Sequence, residues 1–504
     1  MARGSMPVLV GVGQYVSHWD GTQPVSEAPS PLSLCVEASQ RALADAGVSV
    51  SEIDTVCVTR TTDDSYPNAR YPHGKNTNYP GTLSEALRID PKAAIYSISG
   101  GQTGQQNINE MASRIFAGET ECALISGSEA VKASKAARKH GIDIDWTGAS
   151  DRDFDDRGLG GRLVNKTEIT HGLFIPAWFY AMVENAHAAE AGRTRTEHRR
   201  AMSELWAPFA KVALDNPNSQ FETDFDVEFL AAPSRANYPF ADPLLKWHMA
   251  QDAVNLGAAL LIISEEKADA LGIAAEKRVY LQGSGEAEDS FFLERESYTD
   301  SWAMKTALDR AFGQAGMTEA DISLFDLYSC FPCAVTCSTR ALGIDPATDP
   351  RPLTVTGGLP FFGGPGNNYS MHGVASMAER LRAAPGTFGL VLANGGWMSK
   401  EAAGIWSTAR PETFHPTDPI AKRDPADLIE TELEPSDGTL ETFTVTHGRE
   451  GADKGLIMAR TGDGKRFIAH ASAAAMERLL KEESPVGLAV KVTRRDPINI
   501  VDFA

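Results

Sequence analysis

The chain has 504 residues and carries 67 acidic against 47 basic side chains, which gives a formal net charge of −20. With 42% hydrophobic and 23% charged residues it has the composition of a globular protein with several domains, which excludes a disordered or fibrous chain. The negative charge argues against a nucleic-acid partner, and no apolar run is long enough to span a membrane.

Two parts of the chain repeat the same order of predicted elements. Residues 41–53 (RALADAGVSVSEI) and 310–322 (RAFGQAGMTEADI) each predict an amphipathic helix that ends at a glycine and precedes an apolar strand. At nearly the same separation, residues 111–129 and 377–396 share a helix, a short turn, an apolar strand and a glycine-rich exit. Two matched pairs in the same order predict a duplicated α/β domain in which strands alternate with helices.

The remaining segments do not share this repeat. The two halves are predicted to span 6–130 and 241–406, with the last strands of the first half at the start of the second range. Between them, residues 131–240 are rich in charge, Trp and Tyr and predict an inserted domain over one face of the core. Prolines in 407–435 indicate an extended linker, and residues 436–504 predict five short strands with one helix, typical of a small closed barrel.

Glycine-rich strings stand at three predicted junctions between strands and helices, at 99–104, 363–368 and 394–396. Such glycines let a ligand approach the backbone N–H groups of a helix start, although tight packing of helix on strand explains them as well. None matches a phosphate loop or a dinucleotide fingerprint, so we expect no nucleotide redox cofactor.

The six cysteines predict neither disulfides nor a metal site. Without a secretory signal they indicate reduced thiols and a cytoplasmic location. Cys330, Cys333 and Cys337 lie in an apolar run with no second pair of ligands, so we interpret them as core thiols and expect no metal.

The layout and the strings around Gly101, Tyr328, His372 and Ala393 resemble the thiolase superfamily, and within it the type 1 thiolase-like branch of the sterol-carrier-thiolase group. The resemblance covers roughly residues 6–406, and the C-terminal barrel resembles the extra domain of that branch. It implies the thiolase fold, a duplicated βαβαβαββ unit in α/β/α/β/α layers, with an inserted loop domain and an OB-like C-terminal barrel. It also implies coenzyme A thioesters as ligands, a role in lipid metabolism, and a monomer or homodimer.

The resemblance further predicts that both reactive cysteines of the family are missing. Gly101 stands at the position of the nucleophile, and Gly104 is the glycine of that motif. Asn394 and Gly395 follow Ala393, which stands where the second, acid/base cysteine is expected.

Two side chains of the matched motifs remain able to transfer protons. His372, in Met371-His372-Gly373, matches the histidine motif and is our candidate base, and Tyr328 stands where the family holds an oxyanion-hole water. A packed core histidine and tyrosine explain them as well. Backbone N–H groups would still form an oxyanion-type pocket. The residues expected to contact the ligand are Gly101, Gly104, Gly364, Asn368, Asn394 and Gly395, and Asn368 is also expected to shape its turn.

Without a thiolate, the covalent acyl-enzyme route of the family is closed. The resemblance then favours a protein that binds acyl-coenzyme A thioesters and acts on the carbon–carbon bond beside the thioester by non-covalent retro-aldol or related chemistry. Two alternatives stay open. One is a non-catalytic binder of acyl-coenzyme A or lipid, and the other is an acetyl-coenzyme A C-acyltransferase with an unusual nucleophile.

Overall fold

Two sheets of similar connectivity form the centre of the protein, for which a computed structural model describes residues 4–222, 224–494 and 498–504. The first half is built from strands and helices in alternation. These elements are β1 (Pro7–Val16), α1 (Pro31–Ala46), β2 (Thr55–Val58), α2 (Tyr79–Leu87), β3 (Ala93–Tyr96), α3 (Thr103–Phe116) and β4 (Cys122–Glu129).

The inserted segment is mainly helical. Its elements are α4 (Val131–His140), β5 (Asp155–Asp156), α5 (Lys166–Thr170), α6 (Pro176–Glu190), α7 (Arg195–Leu214), α8 (Val227–Ala231), β6 (Pro239–Ala241) and β7 (Leu244–Leu245). The two-residue β5 pairs with β3 and becomes the edge of the first sheet.

The chain then completes the first sheet and builds the second. The elements are β8 (Leu256–Ser264), α9 (Glu265–Ala270), β9 (Tyr280–Glu288), α10 (Trp302–Ala315), β10 (Leu324–Leu327), α11 (Pro332–Leu342), α12 (Tyr369–Ala383), β11 (Phe388–Gly395), β12 (Lys400–Ser407) and β13 (Ala421–Lys422). The sheet orders are β1-β8-β4-β2-β3-β5 and β10-β11-β12-β9-β13. Read from β9, the order β9-β12-β11-β10 repeats β1-β8-β4-β2, which confirms the duplication.

Matching local signals place equivalent helices on equivalent strands. Helix α1 ends at Gly47 and α10 at Gly316, both in the left-handed conformation that the sequence pattern predicts. Helices α3 and α12 pack against each other and contact strands of both sheets, while α1 packs on the first sheet and α10 on the second. The five layers of the thiolase fold are therefore confirmed.

The C-terminal segment forms a closed barrel, as predicted. Its elements are β14 (Asp437–Gly448), β15 (Gly451–Arg460), β16 (Arg466–Ala471), α13 (Ala473–Lys481), β17 (Ala489–Arg494) and β18 (Ile500–Phe503). The strand order β15-β16-β18-β17-β14 closes through a pairing of β15 with β14, and the β6–β7 hairpin of the inserted segment extends the sheet beyond β14. Of the helices described, none has the length and hydropathy to cross a bilayer.

Candidate functional site

The start of α3, the residues after β10 and the turn between β11 and β12 meet at one place between the halves. A Cβ built on Gly101 would lie 2.8 Å from Cζ of Tyr328, and closer still to the Tyr328 hydroxyl and the carbonyl oxygen of Asn394. A Cβ built on Gly395 would overlap the side-chain amide of Gln102 and lie 3.1 Å from the backbone nitrogen of Gly101. The structure thus brings together four of the predicted site residues: Gly101, Tyr328, Asn394 and Gly395.

The phenol of Tyr328 occupies the space that a side chain at position 101 would need. The tyrosine is buried, and its ring meets that of Tyr369 edge to face, with centroids 5.3 Å apart. Because one of the obstructing atoms is the backbone oxygen of Asn394, no rotation of a side chain can free this space.

Asn394 organises the polar groups beside Tyr328. Its Nδ2 donates to the hydroxyl of Tyr180 at 3.2 Å and approaches Sγ of Cys330 at 3.8 Å, and its Oδ1 accepts from the backbone N–H of Met398 at 3.0 Å. Tyr180 itself stacks on Phe331, with ring centroids 4.1 Å apart. These contacts fix the amide so that its NH₂ group faces the site.

A buried glutamate completes this group and is the functional candidate that sequence reasoning missed. Glu401 on β12 pairs directly with Asn394 on β11, so both side chains leave the sheet on the same face. Its exposed fraction is 1%, and neither carboxylate oxygen has a hydrogen-bond partner among the described residues. The available signal was an acidic residue followed by the apolar run Ala402–Trp406 of a fully buried strand. We call Tyr180, Tyr328, Cys330, Asn394 and Glu401 the polar slot.

Burial keeps the two phenols and the thiol of the polar slot uncharged. Loss of solvent raises the pKa of Tyr180 and Tyr328 well above the usual value for a phenol, and it raises the pKa of Cys330 to about 12. Burial also raises the pKa of Glu401 far above that of an ordinary carboxyl, opposed only by the positive charge of Arg295. At neutral pH the slot therefore presents hydrogen-bond donors and no thiolate.

The turn that follows Asn394 and joins β11 to β12 has a strained backbone. Trp397 and Met398 both have positive φ values, 57° and 66°, in a region that residues other than glycine rarely adopt. Arg295, in the connection between β9 and α10, donates to the carbonyl of Trp397 at 2.7 Å and thereby supports the turn. Strain held by dedicated contacts is typical of functional sites.

His372 lies away from the polar slot. It sits inside α12, where its Nδ1 is 2.8 Å from Oε1 of Gln14 and its ring contacts Phe362 edge to face. Burial lowers its pKa to about 3, so the imidazole is neutral. No hydrogen bond joins it to Tyr328 among the described residues, and the rings of Phe362 and Tyr369 stand between them.

Gly364 is connected to the slot through Ala250. Its backbone N–H donates to the carbonyl of Gln251 at 2.9 Å, and a Cβ there would lie 3.4 Å from that of Ala250. Ala250 in turn donates its backbone N–H to the carbonyl of Cys330 at 2.8 Å. The turn before α12 therefore borders the residues that follow β10.

The other two predicted contact residues hold the scaffold. A Cβ on Gly104 would overlap the hydroxyl of Ser370, so the glycine lets α3 approach the start of α12. Nδ2 of Asn368 donates to the carbonyl of Gly127 at 2.7 Å, which ties the turn before α12 to β4. Both are buried in this packing.

A cavity of about 610 Å³ opens on the other side of the Gly364 turn. Trp247, Lys246, Lys135 and Gln251 are among its lining residues. The ammonium of Lys246 lies 4.6 Å from the centre of the Trp247 ring system. Glu222 and Asp252 line it as well, and Lys135 pairs with Asp252 at 2.7 Å, so the cavity combines an aromatic ring with charges of both signs. Within the described ranges, no three His, Cys, Asp or Glu side chains group as metal ligands would.

Comparison with known proteins agrees with this geometry. Residues 419–496 match the family described as the thiolase-like protein type 1 additional C-terminal domain. The crystal structure of a monomeric SCP2-thiolase like protein type 1 from Mycobacterium smegmatis is 34% identical, covers 100% of both chains and superposes with a TM-score of 0.83.

Two more distant relatives extend the comparison. Sterol carrier protein 2 of Oryctolagus cuniculus is 23% identical over 341 residues, which span 67% of this chain and 56% of the relative. The chain thus matches little more than half of that protein. The structure of an Ltp2-ChsH2(DUF35) aldolase is 19% identical and covers 81% of this chain and 98% of its own, with a TM-score of 0.60. At 19% identity, the comparison with this aldolase shows that the two proteins share a fold.

Proposed function

The chain belongs to the SCP2-thiolase-like type 1 family of the thiolase superfamily, and from this membership we propose that it binds acyl-coenzyme A thioesters and cleaves or forms the carbon–carbon bond beside the thioester without covalent capture. The retro-aldol cleavage of a 3-hydroxyacyl thioester is the reaction of this class that the polar slot suits best. In that reaction the β-hydroxyl loses its proton, the bond between the α- and β-carbons breaks, and the enolate of the shorter thioester is protonated.

The observation that carries the proposal is the phenol of Tyr328 in the space beside Gly101, the position at which the resemblance predicts the thiol of the family. Gly101 offers no atom to acylate, and the hydroxyl of Tyr328 fills the space a thiol there would use. An acyl-enzyme at this position is therefore sterically excluded. A hydrogen-bond donor placed there stabilises negative charge on an oxygen, and a carbonyl that becomes an enolate develops such a charge.

The cavity beside Gly364 supports a nucleotide-bearing ligand. An aromatic ring such as that of Trp247 suits contact with a base, and Lys246 suits a phosphate group, whereas Lys135 already pairs with Asp252. We propose that the nucleotide of coenzyme A lies there and that its thioester reaches the slot past the Gly364 turn.

An acyltransferase with another nucleophile is less well supported. Cys330 is the thiol of the polar slot, and burial raises its pKa to about 12, so it is not a thiolate at neutral pH. A non-catalytic binder differs from the proposed lyase only in turnover, so the experiment must measure binding and cleavage separately.

The test uses the full chain with acetyl-coenzyme A and a series of 3-hydroxyacyl-coenzyme A thioesters. A ligand that binds the native state should raise the melting temperature, and intact mass should show no acetyl adduct. Cleavage is followed as release of an aldehyde or ketone together with acetyl-coenzyme A. A stable acyl adduct would support the acyltransferase, and a thermal shift without cleavage of any thioester would support the binder.

A further inference from the structure

The carboxyl of Glu401 is unusual for a buried charged residue. Most buried polar groups in proteins are hydrogen-bonded, because an unpaired one costs about 1–3 kcal/mol. Here the side chain is 1% exposed, yet both oxygens lack a partner among the described residues. Glu286, on the neighbouring strand β9, shows the ordinary arrangement. Its two oxygens accept from Gln106 and Asn109, both at 3.0 Å.

The position of Glu401 indicates which partner this unpaired carboxyl lacks. It stands opposite Asn394 on the same face of the sheet, and Asn394 lies beside the position where the family's acid/base cysteine is expected. The side chain of Asn394 contacts Tyr180 and Cys330, so its strand partner Glu401 leaves the sheet on the face where these groups lie. The two carboxyl oxygens lack a partner, and an oxygen or carbon atom of a ligand bound in the slot would supply it.

We propose that Glu401 is the proton-transfer residue of the polar slot, on the basis of its unpaired, buried carboxyl opposite Asn394. The proposal rests on the retro-aldol function above. The carboxylate takes the proton of the β-hydroxyl, and the electron pair of the breaking carbon–carbon bond moves into the thioester to form the enolate. The resulting carboxylic acid then returns the same proton to the α-carbon, so the residue ends as it began.

The surroundings of Glu401 favour such a cycle. The titratable and charged groups that interact electrostatically with Glu401 are Tyr328, Cys330, Cys337 and Arg295. Burial raises the pKa values of the first three, so they are neutral, and the positive charge of Arg295 opposes the rise in the pKa of Glu401. A carboxyl whose pKa is raised is a stronger base than an ordinary one and is still an effective acid near neutral pH.

The experiment compares Glu401→Gln with Glu286→Gln, which removes a second buried carboxyl that has partners of its own. In infrared difference spectra, acetyl-coenzyme A should shift a carboxyl or carboxylate band in the wild type and in Glu286→Gln, but not in Glu401→Gln. Cleavage of 3-hydroxybutyryl-coenzyme A, or of the thioester that the binding series selects, should fall about 10²–10⁴-fold in Glu401→Gln. It should stay close to the wild-type rate in Glu286→Gln.

The pH profile gives a second readout. Wild-type turnover should rise with pH as the carboxylate fraction of Glu401 grows, and residual turnover of Glu401→Gln should lose that dependence. A Glu401→Gln protein that melts normally and keeps wild-type turnover overturns the proposal while the proposed function stands. If the wild type cleaves no thioester at all, the proposed function fails and the proton transfer fails with it.

Discussion

The packing around Gly101 predicts that even one added methyl group destabilises the protein. In Gly101→Ala the new Cβ would lie 2.8 Å from Cζ of Tyr328 and closer to two oxygen atoms, one of which belongs to the backbone of Asn394. The φ angle of Gly101 is not in the left-handed region, so the effect is steric. Overpacking of this kind costs typically about 1–3 kcal/mol, and we expect the upper end because the Asn394 oxygen cannot rotate away.

Thermal unfolding provides the assay. A loss of 1 kcal/mol lowers the melting temperature by about 2–4 °C in a domain of 150–250 residues, so Gly101→Ala should melt several degrees below the wild type. Gly313→Ala is the matched control. It lies within α10, and a Cβ there meets nothing within 4 Å. Because alanine is the better helix former, this control should be stabilised by about 0.5–1 kcal/mol.

A double-mutant cycle locates the clash. In a Tyr328→Phe background the hydroxyl is gone, so Gly101→Ala should cost less than in the wild type, while the contact with the Asn394 oxygen remains. Unchanged melting of Gly101→Ala would refute the reasoning. So would Gly101→Cys that folds and gains an acetyl group from acetyl-coenzyme A, since that result requires space at position 101.

Two further predictions concern buried charges. Burial lowers the pKa of His372 from 6.5 to about 3, so the unfolded chain binds a proton there between these pH values and the native protein does not. Stability should therefore fall as pH drops from about 6.5 to about 3. When the free energy of unfolding is obtained from melting curves at several pH values, its slope against pH should be smaller by one proton in His372→Asn. Equal slopes in the two proteins would contradict a buried neutral imidazole. Arg466 is fully buried, donates to Glu441 at 2.7 Å and joins the barrel to the second half. Arg466→Met should therefore lower the free energy of unfolding, by an amount toward the lower end of about 3–5 kcal/mol because Arg460 still pairs with Glu441. Limited proteolysis within 407–435 should accelerate in that variant, and an unchanged rate would mean that other contacts hold the barrel.

Much of the fold was accessible from the sequence because its signals are long and repeated. The two helices that end at Gly47 and Gly316 indicated the duplication. In each half, two glycines on the first strand let this helix pack closely on the sheet: Gly11 and Gly13 in one half, and Gly283 and Gly285 in the other. The very short strands β5, β6, β7 and β13 were not predicted. Two or three residues have no measurable periodicity, and partners distant in sequence create these strands.

The site was predicted less completely than the fold, for reasons that individual residues make clear. His372 was assigned from its motif alone, and the structure places it inside α12, which begins at Tyr369, with its ring against Gln14. The motif does not indicate which face of the helix this side chain occupies, and that depends on where the helix begins. Glu401 belongs to no motif, and only the pairing of β12 with β11 places it opposite Asn394.

The residues of the polar slot depend on one another, which limits what a cysteine introduced at position 101 could do. The hydroxyl of Tyr328 fits because position 101 has no Cβ, and the amide of Asn394 faces inward because Tyr180 and Met398 hold both its ends. A cysteine introduced at position 101 alone would therefore meet the phenol of Tyr328 and the backbone oxygen of Asn394. Groups that are in contact have non-additive effects, so a reactive thiol would require position 101 and Tyr328 to change together, with the backbone at Asn394 moving to make room.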